Sequence, residues 1–317
     1  MAAILSITGA AINCAAETST DPIIVPDGNY LYAEKDSTDL FLDVYNPAKD
    51  SETVIDGRDK PTILFMFGGG FMSGARDKDK YLPWFKLMTD AGYRIISIDY
   101  RLGMKGTNKV GIAQVNILDK AIHMAVEDLF NATEYILDNS ETLGVNPKNI
   151  VTCGTSAGAI TVMQAEYELC NRTSYAQILP ANFNYAGVMS FSGAILSRHG
   201  KLTWSKIPAP TLMFHGTVDN IVTYKQIKFF RTGFFGTDKI VERFKKFGYI
   251  HHVYRYIDHS HEIATIMDKT TRYQFDFLEN IVMKGNSQII DAYIDDPTIP
   301  LWQGDLDDMF GQQESEN

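Results

Sequence analysis

Basic residues are the first shortage in this chain. Lys and Arg number 29 against 39 Asp and Glu, leaving a net charge of −10. A nucleic-acid binder needs a basic footprint that this balance does not supply, and an anionic polymer would be mildly repelled. Cysteine is scarce as well: only Cys14, Cys153 and Cys170 are present. Their spacing fits no metal site, so neither a metal nor a disulfide framework is expected. A Cys14–Cys170 pair would require the mature chain to keep Cys14, and nothing in the sequence calls for it. No later apolar run approaches the length of a membrane span. Met1–Ala16 contains no Lys or Arg and is mostly apolar or small, ending in Cys14-Ala15-Ala16. It matches the later part of a secretory signal without the basic start. The expectation is a possible signal segment over 1–16 and a secreted or periplasmic protein. The competing reading is a disordered extension of a cytoplasmic one. No internal repeat and no clean linker interrupts the rest.

What is present is an ordinary globular composition, 45% hydrophobic and 21% charged over 317 residues, enough for one large α/β domain or two small ones. Two strands around Lys35–Thr38 open the pattern, the second alternating Leu40, Leu42 and Val44 with Phe41, Asp43 and Tyr45. Buried strands are expected at Pro61–Phe67, Arg94–Tyr100, Ala186–Phe191, Pro210–His215 and Ile250–Ile257. Between them lie helices over Pro83–Ala91, Val115–Asp138, Ala157–Leu169 and Glu262–Met283. Strands alternating with helices imply a mostly parallel central sheet covered on both faces. Residues 170–185 and 225–247 break the rhythm and are the candidates for small lid insertions. The expected division is a main domain over 17–285 and an irregular C-terminal extension over 286–317, its acidic end starting at Gly304.

One stretch organises the chemistry: Gly154-Thr155-Ser156-Ala157-Gly158, between a β-branched lead-in and a helix. A serine there sits on a sharp strand-to-helix turn with its hydroxyl projecting beyond the sheet, beside a helix N-terminus that favours negative charge. The bland alternative is a glycine-rich turn with an ordinary capping serine. A serine hydroxyl is a weak nucleophile unless a base takes its proton and a third group orients that base. Both are available downstream. Asp219 follows the strand Thr211–His215, and His261 stands at a turn after Tyr254–Ile257, just before a helix. Seven histidines make a downstream histidine cheap. The rival is His259, which lies earlier in the same turn; Asp258 is the rival to Asp219, too close to His261 in sequence to orient it easily. His215 reads as a brace for the Asp219 loop. Gly68-Gly69-Gly70, after a buried strand, supplies N–H groups that converge with that of Ala157 near Ser156.

In this order, the motifs resemble the α/β-hydrolase superfamily, and within it carboxylesterases close to the hormone-sensitive-lipase group. The resembling residues are Gly68-Gly69-Gly70-Phe71 with Gly74, Asp99-Tyr100-Arg101-Leu102, the Ser156 pentapeptide, His215-Gly216-Thr217-Val218-Asp219 and His261-Glu262-Ile263. Gly-Thr-Ser-Ala-Gly-Ala-Ile and the late Gly-Phe-Phe-Gly-Thr-Asp are similar to bacterial feruloyl and acetyl-xylan esterases. The resemblance implies an α/β-hydrolase fold with Ser156 as nucleophile, His261 as general base and acid, Asp219 as its orienter, and Gly69, Gly70 and Ala157 as oxyanion donors. It implies no cofactor or metal, and a small or aryl ester substrate, in some cases linked to polysaccharide. Arg101 and Asp128 form a structural ion pair on this reading. There is one departure: the family usually carries histidine where Phe67 stands, and Phe67 cannot make that residue's loop-holding hydrogen bond. Phe67, Phe71 and Trp84 are candidates to line an aromatic acyl pocket, although core packing would account for each. A serine peptidase of the same fold and a catalytically silent binding protein are the competing functions.

Overall fold

The computed structural model describes residues 24–107 and 115–302. The expected signal segment, Cys14 and the acidic end of the chain lie outside the described residues. Among the described residues, nine strands form one sheet. In chain order they are β1 (Gly28–Lys35), β2 (Thr38–Tyr45), β3 (Thr62–Met66), β4 (Arg94–Ile98), β5 (Ile150–Thr155), β6 (Gly187–Phe191), β7 (Thr211–Gly216), β8 (His251–Tyr256) and β9 (Ile290–Ile294). Their spatial order is β1-β2-β4-β3-β5-β6-β7-β8-β9. The first two strands form an antiparallel hairpin, and β2 runs antiparallel to β4. Every remaining pairing is parallel.

The hairpin turns at Asp36 and Ser37, both with positive φ (50° and 61°), the backbone twist that a two-residue turn requires. From β3 to β8 the strands are almost wholly buried. That is why they read as continuous apolar runs rather than alternating ones. Each fully buried Ile, Leu or Phe contributes about 1.5–3 kcal/mol relative to exposure. Phe65 of β3 shows how a helix is fixed to the sheet. Its ring centroid lies 5.0 Å from Tyr81, 5.5 Å from Trp84 and 5.2 Å from Phe85. The last two belong to helix α1 (Leu82–Asp90), which carries Pro in its first turn. Helix α2 (Val115–Asp138) buries Ala121, Ala125, Leu129, Ala132 and Ile136 at helical spacing. It packs against α3 (Ala157–Asn171), which is buried along nearly its whole length.

Two expectations need correction. First, the C-terminal region is not irregular throughout: Ile290–Ile294 pairs in parallel with His252–Tyr256 and adds a ninth strand beyond residue 285. Arg255 holds it through Asp291 (Nε to Oδ1 2.5 Å). Second, Glu262–Met283 is not one long helix. It divides into tight 3-10 turns over His261–Thr265 and Asp268–Thr270, an α-helix over Thr271–Asp276 and wide π-type turns over Phe277–Met283. The Thr270 hydroxyl bonds the carbonyls of Ile266 and Met267, while the Lys269 and Thr270 N–H groups reach back only three residues. A hydroxyl that competes for backbone carbonyls favours such tight turns over a regular helix. The two segments that break the rhythm carry structure of their own, the first a 3-10 turn over Ser174–Ile178. Residues 226–229 and 232–236 form a hairpin that pairs with Ala194–Ser197 as a separate three-stranded sheet, followed by helix α4 (Thr237–Phe247).

Candidate active site

The turn from β5 into α3 is built by steric exclusion. A Cβ on Gly158 would lie 2.1 Å from the Met66 carbonyl oxygen, and one on Gly154 would lie 2.4 Å from the Gly158 backbone. Only glycine lets the helix approach the sheet this closely. Between them Ser156 adopts φ 52° and ψ −117°, a conformation that costs a non-glycine residue roughly 1–3 kcal/mol. Its N–H bonds the Phe191 carbonyl of the neighbouring strand at 2.9 Å, which helps hold the strained residue in place.

Two loops from the C-terminal ends of β7 and β8 meet this serine. His261 Nε2 lies 2.8 Å from Ser156 Oγ, and His261 Nδ1 lies 2.8 Å from Asp219 Oδ2. Both His261 and Asp219 are buried. The other Asp219 oxygen accepts the N–H groups of Ile221 (2.9 Å) and Val222 (3.0 Å). Burial pushes the Asp219 carboxyl up. The opposing effects of charge on His261, hydrogen bonds from His215 and His261, and charge on His215 prevail and hold it well below the ordinary carboxylate range. Asp219 therefore holds its negative charge against His261 Nδ1. His215 braces the loop as expected: its ring nitrogens reach Thr237 Oγ1 (2.8 Å) and the Val222 carbonyl (2.9 Å), with Nε2 also 3.3 Å from Asp219.

The rivals point elsewhere. His259 Nδ1 pairs with Glu262 at 2.9 Å and its Nε2 faces the Asp296 carbonyl at 3.1 Å, so neither nitrogen turns to Ser156. Asp258 is exposed in a left-handed conformation (φ 57°), its N–H on Thr217 Oγ1. Thr155 adds a tie that the sequence did not signal. Its hydroxyl donates to the Ala264 carbonyl and links the serine strand to the segment carrying His261.

A cavity of about 110 Å³ opens beside Ser156 and His261. Gly68, Gly69, Gly70, Tyr81, Trp84 and Met267 line it, with Lys80 and Asp268. Gly69 has φ 137°, and a Cβ there would lie 2.0 Å from the Ser73 carbonyl oxygen. Its own carbonyl accepts the N–H groups of Met72 and Ser73, closing the loop on itself. Ala157 is buried directly behind the serine as the first residue of α3.

Of the three aromatic candidates only Trp84 lines the cavity, its indole N–H held by Gln274 Oε1 at 2.8 Å. Phe67 and Phe71 do not. Phe67 stacks on Tyr100 with centroids 4.3 Å apart, and Phe71 meets the same ring edge-on at 6.3 Å. Both belong to the core behind the loop. The missing loop-holding histidine is replaced by two tyrosines. Tyr100 donates its hydroxyl to the Phe67 carbonyl at 2.9 Å, and Tyr81 oxygen accepts the Gly68 N–H at 3.0 Å. Phe67 itself was the signal: without a histidine, some other side chain had to anchor the glycines. Arg101 pairs with Asp128 (Nη2 to Oδ1 2.7 Å) and also with Asp36 and Glu127, a structural cluster. Among the described residues, no group of three or more His, Cys, Asp or Glu is placed to hold a metal ion. No helix of the described residues is long and apolar enough to cross a membrane.

The sheet order and the serine turn define the fold: this chain has the α/β-hydrolase fold. Residues 42–194 match the model of the BD-FAE family. Esterase 2 of Thermogutta terrifontis shares the fold with a TM-score of 0.58 and 22% identity, over 80% of this chain and 94% of that one. Among curated proteins, the chain is 30% identical to the non-reducing polyketide synthase ausA of Penicillium brasilianum over 151 residues, 46% of this chain and 6% of that protein. It is 28% identical to gut esterase 1 of Caenorhabditis elegans over 140 residues, 44% and 23% of the two lengths. It is 25% identical to the chlorogenic acid esterase of Aspergillus niger over 186 residues, 57% and 33%. The matched segment thus spans a third or less of each of these curated relatives.

Proposed function

We propose that this protein hydrolyses carboxylic esters by acyl transfer through Ser156. The observation that carries the reading is the chain Asp219–His261–Ser156, two contacts of 2.8 Å opening onto a cavity. Ser156 Oγ attacks the ester carbonyl while His261 Nε2 takes its proton. The same proton passes to the leaving alcohol, and water then frees the acid by the reverse sequence. The backbone N–H groups of Gly69, Gly70 and Ala157 stabilise the oxyanion. Esterases among the matched proteins support this reading, as does the BD-FAE match.

The cavity favours a small acyl group. About 110 Å³ is less than the ~150 Å³ of an apolar cavity known to admit benzene. A cavity of this size suits an acetyl group better than a feruloyl ring. Acetyl esters, including those on plant polysaccharide, are therefore the favoured substrates over feruloyl esters. Initial rates on acetyl, butyryl, hexanoyl and feruloyl esters, with an aminoacyl amide alongside, test this. The expected order begins with acetyl, with the amide inert. Faster turnover of the amide would replace the esterase reading by a peptidase.

A further inference from the structure

We propose that the Tyr81 hydroxyl donates a hydrogen bond to the reacting carbonyl oxygen, a side-chain member of the oxyanion site. The proposal rests on the esterase reading and deepens it. Tyr81 ends a 3-10 turn (Asp79–Tyr81) just before α1 and is buried. Its ring is fixed edge-on to Phe65 at 5.0 Å and stacked on Phe85 at 6.4 Å. The side chain nevertheless lines the cavity together with Ser156, His261 and the three glycines.

The hydroxyl accepts the Gly68 N–H at 3.0 Å. A phenol oxygen that accepts still has one proton to give, and no acceptor among the described residues takes it. Gly68 also places that hydroxyl. A Cβ on Gly68 would lie 3.1 Å from Ser156 Cβ and 2.9 Å from the Thr155 carbonyl oxygen, so the glycine is pressed against the serine turn. Its hydrogen-bond partner therefore sits at the edge of the reaction space. Burial pushes the phenol well above its ordinary range, outweighing the Gly68 N–H, so it stays a neutral donor through neutral pH. The Gly68 N–H is spent on Tyr81, which leaves Gly69, Gly70 and Ala157 as the backbone donors.

In the step itself, Ser156 Oγ bonds to the carbonyl carbon and the C=O π pair moves onto oxygen. Tyr81 shares its proton with that oxygen without releasing it, and the bond relaxes when the tetrahedral centre collapses.

The test compares Tyr81→Phe with the unaltered protein on a matched pair of acetyl substrates, an oxoester and its thionoester. Sulfur is a weak hydrogen-bond acceptor, so the thionoester barely senses a lost donor. The expected result is a ~10²-fold lower kcat on the oxoester with KM nearly unchanged, shrinking to a few-fold on the thionoester. An equal loss on both substrates would assign Tyr81 to loop support alone, and no loss on either would remove it from the site; both overturn the proposal. If Tyr81→Phe does not fold, ring-fluorinated tyrosine at position 81 keeps the shape and makes the hydroxyl a stronger donor. The oxoester-to-thionoester rate ratio then rises about 2–3-fold, by the sensitivity of proton sharing to donor acidity, and an unchanged ratio overturns the proposal. An unaltered protein that hydrolyses no ester and whose Ser156 takes no fluorophosphonate would instead sink the esterase reading itself.

Discussion

Of the histidines that sit beside carboxylates, two make the sharpest contrast: His261 faces a serine hydroxyl and His123 faces a second carboxylate. His261 has Asp219 on Nδ1 and the Ser156 hydroxyl on Nε2. His123, on α2, has Asp119 on Nδ1 (3.2 Å to Oδ1) and Glu168 on Nε2 (3.3 Å), with Tyr175 stacked on its ring at 4.5 Å. Burial pushes His123 down, but the hydrogen bonds it donates to Asp119 and Glu168 more than offset this and raise it to about 10. An imidazole clamped between two anions keeps its proton and binds helices together. An imidazole with one anion and one hydroxyl can take a proton and give it back. The partner on the second nitrogen separates a strut from a base.

The largest effects fall on the Ser156 side. Ser156→Ala and His261→Ala should each lower kcat by about 10⁴–10⁶, and Asp219→Asn by about 10⁴, measured as initial rates on an acetyl ester. His259→Ala, which breaks contacts to Glu262 and Asp296 only, should stay within about tenfold by the same scale of comparison. A collapse with His259→Ala and not with His261→Ala would reverse the assignment.

His123→Ala should leave the rate constants nearly intact and cost about 1–3 kcal/mol of stability in urea unfolding, because Glu168 loses its cation while Asp119 keeps only Arg198. The sign with pH follows from the raised value. The stabilisation is complete below about 6.5 and fades as pH rises through about 10. The difference between variant and parent should therefore be largest near pH 6 and narrow above pH 10.

Glu166 gives a third, opposite case. It is buried on α3, accepts the Ala209 N–H (2.7 Å) and the Cys170 thiol, and among the described residues has no hydrogen-bond partner on its second oxygen. Burial raises its carboxyl to about 7, against smaller opposing effects from Ala209, Cys170 and Lys206. Its contribution is complete below about 4.5 and lost as pH rises through 7. Glu166→Gln, which keeps the acceptor, should match the parent at pH 5 and exceed it by up to ~3 kcal/mol at pH 8. Equal stability at both pH values would contradict the assigned burial penalty.

The sequence carried the Ser156, Asp219 and His261 positions because each stands at a strand end marked by glycine or a turn, and strand ends are fixed by the sheet. It carried the helix that ends at Asp138 because that helix repeats its apolar positions over many turns. It hid what depends on contacts across the fold. Tyr81 lies 13 residues beyond the glycine it anchors, in a segment without periodicity. Phe67 and Phe71 read as pocket residues because they flank the glycines, yet the extended loop turns both rings onto Tyr100. The edge strand Ile290–Ile294 did leave a trace, with Ile290, Ala292 and Ile294 alternating with Asp291 and Tyr293, but its short, partly exposed run resembles a loop.

The most direct measurement is mass spectrometry of the intact protein and its Ser156 peptide after exposure to a fluorophosphonate. One adduct is expected, carried on Ser156, absent in Ser156→Ala, lost or greatly slowed in His261→Ala, and retained in His259→Ala. Labelling that persists in Ser156→Ala, or that ignores the loss of His261, would contradict the account.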